Sequence, residues 1–230
     1  MEQLSMRIIA HVRNDFPTKF GLPRQSGLAG DLESMIVFEP EYRVAEALRG
    51  LEGFSHLWLM WVFHMAQRDS WSPTVRPPRL GGNTRMGVFA TRSPFRPNPI
   101  GLSCVRLKEI RQTEQFGRVL IVTGADMMDG TPILDVKPYL PYADSHPEAL
   151  GGFAQDAARH CLTVDFPTPL LSRLPDAKRP ALLEALSQDP RPAYQHDPAR
   201  MYGFRYGAWE VRFTVQGNTL TVREIEQVSD

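Results

Sequence analysis

Short apolar runs, separated by turn residues, dominate the first two-thirds of the chain. Runs of this length are typical of strands, and only residues 42–51 follow a helical period, closed by glycines at 50 and 53. The predicted strands are residues 6–12, 31–39, 57–63, 85–90, 102–110, 118–126 and 133–136. The segments 16–30 and 67–83, which contain several prolines and glycines, are predicted loops. Many short strands with one helix indicate a mostly β antiparallel barrel or sandwich, not a doubly wound sheet.

The pattern changes near residue 150, where two glycines precede a helical run. Beyond them the sequence predicts helices at 153–160 and 180–186 and a short strand at 162–166. Apolar residues then alternate with polar ones from Trp209 to Val215, and Gly217 lies in the turn of a predicted terminal hairpin. We therefore expect two domains, residues 1–150 and a smaller α+β unit at 151–230.

The bulk composition argues against several classes of protein. The 26 basic and 26 acidic residues balance, unlike those of proteins that coat nucleic acid non-specifically. No stretch reaches the roughly 20 apolar residues of a membrane-spanning helix, and the first residues lack the apolar segment of a signal peptide. Because Cys104 and Cys161 are the only cysteines, neither a disulfide framework nor a zinc site is expected. The sequence thus predicts a cytoplasmic protein that uses no metal.

One segment departs from this overall neutrality. Between residues 68 and 96 there are six arginines, a single acid and no lysine. The planar guanidinium suits phosphates and base faces, so this segment is a candidate for binding RNA or another anionic ligand. A solvated surface loop is the alternative. The arginines are Arg68, Arg76, Arg79, Arg85, Arg92 and Arg96.

The end of this segment, residues 92–102, is the most constrained stretch of the chain. Prolines at 94, 97 and 99 fix their own φ angles and push the residues before them toward extended conformations. Predicted strands flank the stretch on both sides. A rigid loop that carries Arg92 and Arg96 is suited to binding an anionic or planar ligand.

Two other segments carry candidates for chemistry in the first domain. Arg24 and Gln25 follow Pro23 in a loop held by proline and glycine, although an ordinary surface loop explains them equally well. Asp126 lies at the end of a predicted strand. Asp129 is explained by its place in the Asp-Gly turn that follows, but no such turn explains Asp126.

Two further patterns have a functional and a structural explanation. Asp135 and Lys137 are two residues apart in a predicted strand, so they face the same side and form either a functional pair or a structural salt bridge. Near the C-terminus, arginines are interleaved with aromatic residues around Arg191 and Tyr194, which suits stacking on unpaired bases. A rigid linker with core aromatics is the alternative there.

Some common motifs are missing. The sequence has no phosphate-binding P-loop, no Rossmann glycine fingerprint and no Gly-x-Ser-x-Gly elbow. Nothing therefore supports NTP hydrolysis, a Rossmann cofactor site or serine-nucleophile chemistry. The residues by themselves predict a binding site but no particular reaction.

Taken together, the longer motifs closely resemble the TrmO family of tRNA methyltransferases over nearly the whole chain. They are Pro-Arg-Gln at 23–25, Phe-Ser-His-Leu-Trp at 54–58, the runs 73–83 and 85–102, residues 135–141 and Asp-Pro-Arg-Pro-Ala-Tyr at 189–194. The resemblance implies transfer of a methyl group from S-adenosyl-methionine to N6 of threonylcarbamoyl-adenosine, just 3′ of the anticodon, mainly in threonine tRNA. It also implies a single-sheeted antiparallel β-barrel with a small C-terminal domain, working as a homodimer.

The resemblance further implies which residues bind S-adenosyl-methionine. They are Pro23, Arg24, Gln25, Phe63, His64, Arg92, Leu102, Thr123, Gly124, Ala125 and Asp126. The expected contacts to tRNA are Arg76, Arg79, Arg96, Lys137, Tyr139, Arg191 and Tyr194.

The expected catalytic residues are Asp126, Asp135 and Lys137. Asp126 is expected to hold the amine or ribose hydroxyls of the methyl donor, and Asp135 or Lys137 to take up or relay the proton that N6 loses. A rival hypothesis is a β-barrel protein that binds RNA or an adenosine ligand without catalysis, because every motif above would also serve binding alone.

Overall fold

The structure is a computed structural model that describes residues 4–66, 70–77, 80, 83–155, 161–191, 195 and 197–228. The prediction of a mostly β chain is confirmed. The strands are β1 (Ala10–Arg13), β2 (Glu33–Phe38), β3 (His56–Val62), β4 (Thr74–Val75), β5 (Met86–Gly87), β6 (Ile100–Thr113), β7 (Gly117–Thr123), β8 (Pro132–Pro138), β9 (Thr163–Asp165), β10 (Tyr202–Tyr206), β11 (Trp209–Gln216) and β12 (Thr219–Gln227). The α-helices are α1 (Pro141–Asp144), α2 (Thr168–Leu171) and α3 (Arg179–Ser187). None of the helices in these ranges is long and apolar enough to cross a membrane.

Six strands form the larger sheet, in the order β1-β2-β7-β6-β3-β8 with antiparallel neighbours. β1 also pairs with β8, through Ala10 opposite Ile133, so the sheet closes on itself and leaves no long free edge. Its core is built from alternate residues of the strands, among them Leu57 and Leu59 of β3. Full burial of one such side chain stabilises the fold by about 1.5–3 kcal/mol.

The period-2 alternation gives these strands an inner and an outer face. Leu59 and Trp61 of β3 are buried on the inner face, and their partners on β6 are Ser103 and Gly101. The residues between them, such as Met60, lie on the outer face. The register thus fixes which side of the sheet each site residue occupies.

Three predicted elements are wrong in type or extent. The predicted helix at 42–51 is instead three 3₁₀ turns, Pro40–Tyr42, Ala45–Leu48 and Leu51–Gly53. Gly50 interrupts them with a left-handed φ of 86°, and Leu48 is the one residue of these turns that is buried, so no continuous apolar stripe exists to stabilise an α-helix. The strand predicted at 85–90 ends at Gly87 and continues as a 3₁₀ turn. The first strand starts only at Ala10.

The smaller sheet has the order β10-β11-β12-β9, and β9 is parallel to β12. The predicted terminal hairpin is confirmed as β11 and β12, and the helix predicted at 180–186 is α3. β10 was not predicted, because its aromatic residues were read only as candidates for stacking on bases. Of the helix predicted at 153–160, residues 152–154 form a 3₁₀ turn, and 156–160 lie outside the described residues.

The core of the smaller sheet takes residues from both ends of the chain. Phe16, Ala29 and Leu32, from the segment between β1 and β2, are buried together with α3 and strands β10 to β12. Phe20 and Leu22 of the same segment pack against this core. We call residues 15–31 the 15–31 loop. The loop connects the two sheets, although most strands of both sheets follow it in the sequence.

Candidate active site

Aromatic packing anchors the 15–31 loop on the smaller sheet. The ring of Phe16 lies edge-on to Tyr206, with centroids 5.3 Å apart, and stacks with Phe204 at 6.2 Å. Gly21 has a φ of 90°, and a Cβ atom there would lie 2.5 Å from Cδ2 of Phe204. Glycine is therefore the residue that fits both the backbone conformation and the available space at position 21.

Polar contacts hold the two ends of the same loop. Glu184 of α3 accepts hydrogen bonds from the backbone N–H groups of Gly30 and Asp31, both at 2.8 Å. At the other end, Asp15 forms an ion pair with Lys178, and its carbonyl accepts the N–H of Gly207 at 2.6 Å. The loop is thus fixed at both ends by the C-terminal part of the chain.

The centre of the loop is held through Arg24. Its Nη2 donates to the carbonyl oxygens of Asp189, at 3.3 Å, and of Arg191, at 2.9 Å. These two carbonyls belong to a turn that is closed by its own ion pair. Arg191 donates from Nε and Nη2 to the two carboxylate oxygens of Asp189, at 2.8 and 2.9 Å, which is the bidentate geometry of a strong pair.

The Asp189–Arg191 pair is largely removed from solvent, since Arg191 is only 9% exposed. Burial alone would raise the pKa of Asp189, but the hydrogen bonds and charge of Arg191 outweigh it and hold that pKa below its ordinary value. Asp189 also adopts a left-handed φ of 52°, which aspartate tolerates better than most residues. Arg191 was expected to contact tRNA. Its guanidinium also closes the turn that holds Arg24.

Next to Arg24, Gln25 connects the 15–31 loop to the proline-stiffened stretch 92–102. Its Oε1 accepts a hydrogen bond from Nη1 of Arg92, and its Nε2 donates to the carbonyl of Arg24 at 2.6 Å. Arg92 itself is exposed. The structure therefore brings together two loops that the sequence analysis identified separately.

The 92–102 stretch is braced by its own side chains. The Thr91 hydroxyl accepts the N–H of Ser93 at 3.2 Å, and Nη1 of Arg96 donates to the Thr91 carbonyl at 3.1 Å. Arg96, an expected tRNA contact, is half-buried and closes this turn. These bonds, with the prolines, make the loop rigid before any ligand binds.

The segment after β7 meets the 15–31 loop at close range. The N–H of Gly27 donates to the carbonyl of Gly124 at 2.8 Å. Gly124 has a φ of 79°, and a Cβ atom there would lie 3.3 Å from the Gly27 backbone. This contact holds Gly124 against the 15–31 loop, and Asp126 lies close enough to feel the charge of Arg92.

Asp126 is the buried acid beside Arg92. Its Oδ1 accepts a short hydrogen bond, 2.5 Å, from the hydroxyl of Ser103. Burial raises the pKa of Asp126, although the Ser103 hydroxyl, the backbone N–H of Ser26 and the charge of Arg92 act in the opposite direction. A carboxylate held in this way can accept hydrogen bonds from a cationic or hydroxyl-bearing ligand.

Three further candidates, Phe63, His64 and Leu102, lie near the end of β3 and the start of β6. The ring of Phe63 lies 4.2 Å from that of Trp61, and its N–H donates to the carbonyl of Pro99 at 2.9 Å. His64 begins a 3₁₀ turn directly after it. Leu102 is 55% exposed and lies on the outer face.

Asp135 and Lys137 form the salt bridge that was one of their two explanations, with Nζ and Oδ2 2.7 Å apart. In the register of β8, β3 and β6, Asp135 opposes Met60, which opposes Leu102, so this row lies on the outer face. Asp126 is instead bonded to Ser103 of the inner face. The three expected catalytic residues are therefore divided between the two faces of the sheet.

Of the remaining expected tRNA contacts, the structure describes Arg76 and Tyr139. Arg76 is exposed just after β4, and the ring of Tyr139 lies 5.7 Å from Trp58 and 6.2 Å from His56 on the outer face. Arg79 and Tyr194 lie outside the described residues.

Within the described ranges, no group of three or more His, Cys, Asp or Glu residues is arranged to hold a metal.

Two residues of the candidate active site, Ser103 and Trp61, are not identified from the sequence. A signal for Ser103 was available, because it is the polar residue in the inward-facing series Gly101, Ser103, Val105, Leu107 of β6. A polar group on an apolar face needs a hydrogen-bond partner, and two such partners are present.

Comparison with known proteins gives matches to two family models in sequence order. Residues 11–145 match the tRNA-methyltransferase O N-terminal domain, and residues 159–228 match the TrmO C-terminal domain. The chain is 43% identical to the tRNA (adenine(37)-N6)-methyltransferase of Escherichia coli K12 over 94% of this chain and 93% of the relative. It is 45% identical to the enzyme of the same name from Eikenella corrodens, over 76% of this chain and 98% of the relative.

A solved structure shows the same fold. The crystal structure of TrmO from Pseudomonas aeruginosa superposes with a TM-score of 0.78 at 33% identity, covering 98% of this chain and all of that one. A relative from the same organism, at 43% identity over 87% of this chain and 88% of the relative, is described as a putative S-adenosylmethionine-dependent methyltransferase.

Proposed function

Because this chain belongs to the TrmO family, we propose that it is an S-adenosyl-methionine-dependent tRNA (adenine(37)-N6)-methyltransferase. The observation that carries the proposal is the 43% identity to the Escherichia coli enzyme of that activity over 94% of the chain. Methylation of threonylcarbamoyl-adenosine, mainly in threonine tRNA, is the finer form of the proposal and rests on the motif resemblance. The rival, a barrel that only binds RNA or adenosine, is not favoured by these relatives.

The candidate active site fits S-adenosyl-methionine in its chemistry. That molecule presents a flat adenine, a ribose diol and an amino acid end with both charges. In our proposal the exposed Arg24 and Arg92 attract its carboxylate, Asp126 accepts from its amine or ribose hydroxyls, and Phe63 lines the adenine. Pro23, which is buried, and the backbone of residues 123–125 shape the site around them.

When bound, S-adenosyl-methionine supplies a methyl group that is activated by its sulfonium. The protein has to hold this methyl in line with N6 of the adenosine, and alignment alone can supply several kcal/mol of the barrier. The bracing of Gln25 by Arg92 and of Arg24 by the Asp189 turn serves this purpose. The N6–carbon bond forms as the sulfur–carbon bond breaks, and the proton of N6 passes to a carboxylate or to water.

Of the proposed catalytic residues, Asp126 holds the methyl donor with a buried carboxylate that is bonded to Ser103. Asp135 or Lys137, whose side chains form an ion pair on the outer face, takes up or relays the proton that N6 loses. The proposed tRNA contacts among the described residues are Arg76, Arg96, Lys137, Tyr139 and Arg191.

We infer that the closed six-stranded sheet is the family's single-sheeted barrel and that residues 151–230, with α3 packed on the smaller sheet, form its small α+β domain. A tRNA substrate agrees with a cytoplasmic protein. The strand pairings and the family membership support the barrel and the small domain, and the tRNA substrate supports the cytoplasmic location.

Purified protein treated with EDTA should add one methyl group to A37 of threonine tRNA that carries the threonylcarbamoyl modification. Nucleoside mass spectrometry of the tRNA measures this directly, and a threonine tRNA without the modification is the control. Binding of S-adenosyl-methionine and tRNA without any methylated nucleoside would support the rival hypothesis. Activity that appears only when a divalent ion is added would contradict the metal-free mechanism.

We also propose a homodimer. Two aromatic side chains, Trp71 and Phe89, are 51% and 72% exposed and stack on each other at 6.2 Å. Exposed apolar surface of this kind marks an interaction site, and a second copy of the chain is the occupant that the family resemblance implies.

Light scattering should therefore give twice the chain mass of 26.0 kDa. Phe89→Glu should shift the species toward the monomer, whereas Leu150→Glu, at another exposed apolar residue, should not. A fully active wild-type species of 26.0 kDa would exclude the dimer.

A further inference from the structure

A chain of hydrogen bonds runs from the core of the larger sheet to Asp126. Nε1 of Trp61 donates to the hydroxyl oxygen of Ser103 at 2.9 Å, and that hydroxyl donates to Oδ1 of Asp126 at 2.5 Å. The direction is fixed by chemistry, because an indole nitrogen can only donate and a serine hydroxyl has a single proton. Ser103 therefore accepts from Trp61 and donates its own proton to the Asp126 carboxylate.

The first member of this chain is held rigidly. Trp61 is 7% exposed, and a Cβ atom on Gly101 would lie 2.2 Å from Cε2 of its indole, so the ring packs directly on the β6 backbone. Phe63, a proposed wall of the adenine site, lies against the same indole at 4.2 Å. Ser103 is 1% exposed. Both side chains are thus buried, and the indole is held by contacts on two sides.

We propose that Trp61 and Ser103 are positioning residues for methyl transfer, which orient the Asp126 carboxylate toward the methyl donor and keep it ionised. The inference rests on the proposed function, because that function supplies the methyl donor as the ligand of Asp126. Among the described residues, the charged group that acts on Asp126 is Arg92 of the 92–102 stretch. Its other neighbours, Ser103 on β6 and the N–H of Ser26 in the 15–31 loop, are neutral donors.

The effect of removing one such donor can be stated as a fold-change. A hydrogen bond to a charged group corresponds to about a 10- to 150-fold change in an equilibrium constant. Without the Ser103 hydroxyl, Asp126 takes up a proton at higher pH, because burial already opposes its charge. A ligand that needs the carboxylate then binds normally at high pH and weakly at low pH.

The test is the affinity of S-adenosyl-homocysteine, the methyl donor after loss of its methyl group, measured by calorimetry from about pH 4.5 to about pH 8. Ser103→Ala should move the midpoint of this profile at least about one pH unit toward alkaline and lower the affinity below it by about 10- to 150-fold. Ser103→Thr, which keeps the hydroxyl, should retain the wild-type midpoint. Trp61→Phe should shift it in the same direction as Ser103→Ala, by less.

Ser34→Ala is the matched control, because Ser34 is an equally buried serine of the same sheet whose hydroxyl binds Asn14. It should leave the midpoint unchanged. The positioning role is rejected, while the proposed function stands, if Ser103→Ala loses the same affinity at every pH or if Ser103→Thr shifts the midpoint. A wild-type protein that binds neither S-adenosyl-homocysteine nor S-adenosyl-methionine rejects the proposed function itself. If Ser103→Ala fails to fold, the Thr and Phe variants decide the question by the same criteria.

Discussion

Replacing Asp189 with alanine is expected to lower the free energy of unfolding by about 3–5 kcal/mol and to weaken binding of the methyl donor. The substitution leaves the guanidinium of Arg191, 9% exposed, without its bidentate partner. The turn then no longer presents the carbonyls of residues 189 and 191 to Arg24. Urea unfolding measures the stability, and calorimetry with S-adenosyl-homocysteine measures the site.

The pH dependence of this loss has a definite sign. The folded-state pKa of Asp189 lies below its ordinary value, so its contribution to stability is present above about pH 4 and is lost as the pH falls through the folded pKa. Asp165→Ala, at an exposed aspartate of β9, is the control and should change stability by no more than about 0.5 kcal/mol.

Arg191→Ala separates two roles for this turn. If the turn positions Arg24, the variant loses affinity for the methyl donor. If Arg191 contacts tRNA, as its motif led us to expect, the variant loses tRNA affinity, flattens the salt dependence of tRNA binding and keeps the methyl donor. The second pattern, alone, would refute the positioning role.

Gly21→Ala should destabilise the protein by about 2–5 kcal/mol, the second large effect. A residue with a side chain at a φ of 90° carries about 1–2 kcal/mol of backbone strain. The new Cβ atom would also lie 2.5 Å from the ring of Phe204, and overpacking of a core adds about 1–3 kcal/mol. Thermal and urea unfolding both report the loss.

Gly27→Ala is the control within the same loop. Gly27 also has a positive φ, of 76°, but nothing lies within 4 Å of a Cβ atom there, so only the strain remains. Phe204→Leu combined with Gly21→Ala should recover part of the loss, because the smaller side chain makes room. Equal losses in the two glycine variants would show that the contact with Phe204 is unimportant.

The strands could be predicted from sequence because alternation of apolar and polar residues depends on neighbours in the chain. Residues 57–63 are an example, with Leu57, Leu59 and Trp61 buried and the residues between them half-buried. The same reasoning gave a helix at 42–51, where spacings of three and four residues also fit short 3₁₀ turns. Gly50 and the lack of a buried apolar stripe decide the type of helix there. Which of these residues are buried is known only from the fold.

The contacts that build the candidate active site could not be predicted in this way. Gln25 and Arg92 are 67 positions apart, and Arg24 reaches a carbonyl 167 positions further along the chain. Each residue type suggested binding, but which loops meet depends on tertiary packing. Phe16 gave no signal at all, since an aromatic residue in a loop of prolines and glycines does not reveal which core it enters.

The membership of the 15–31 loop in the core of the smaller sheet has a consequence for how the protein is made. The loop leaves the ribosome before the strands that bury Phe16 and Leu32. A nascent chain that has completed the larger sheet therefore still exposes these apolar side chains, and Arg24 has no turn to hold it. We expect the methyl-donor site to form only after these strands have been synthesised, so that an incomplete enzyme does not capture its substrates.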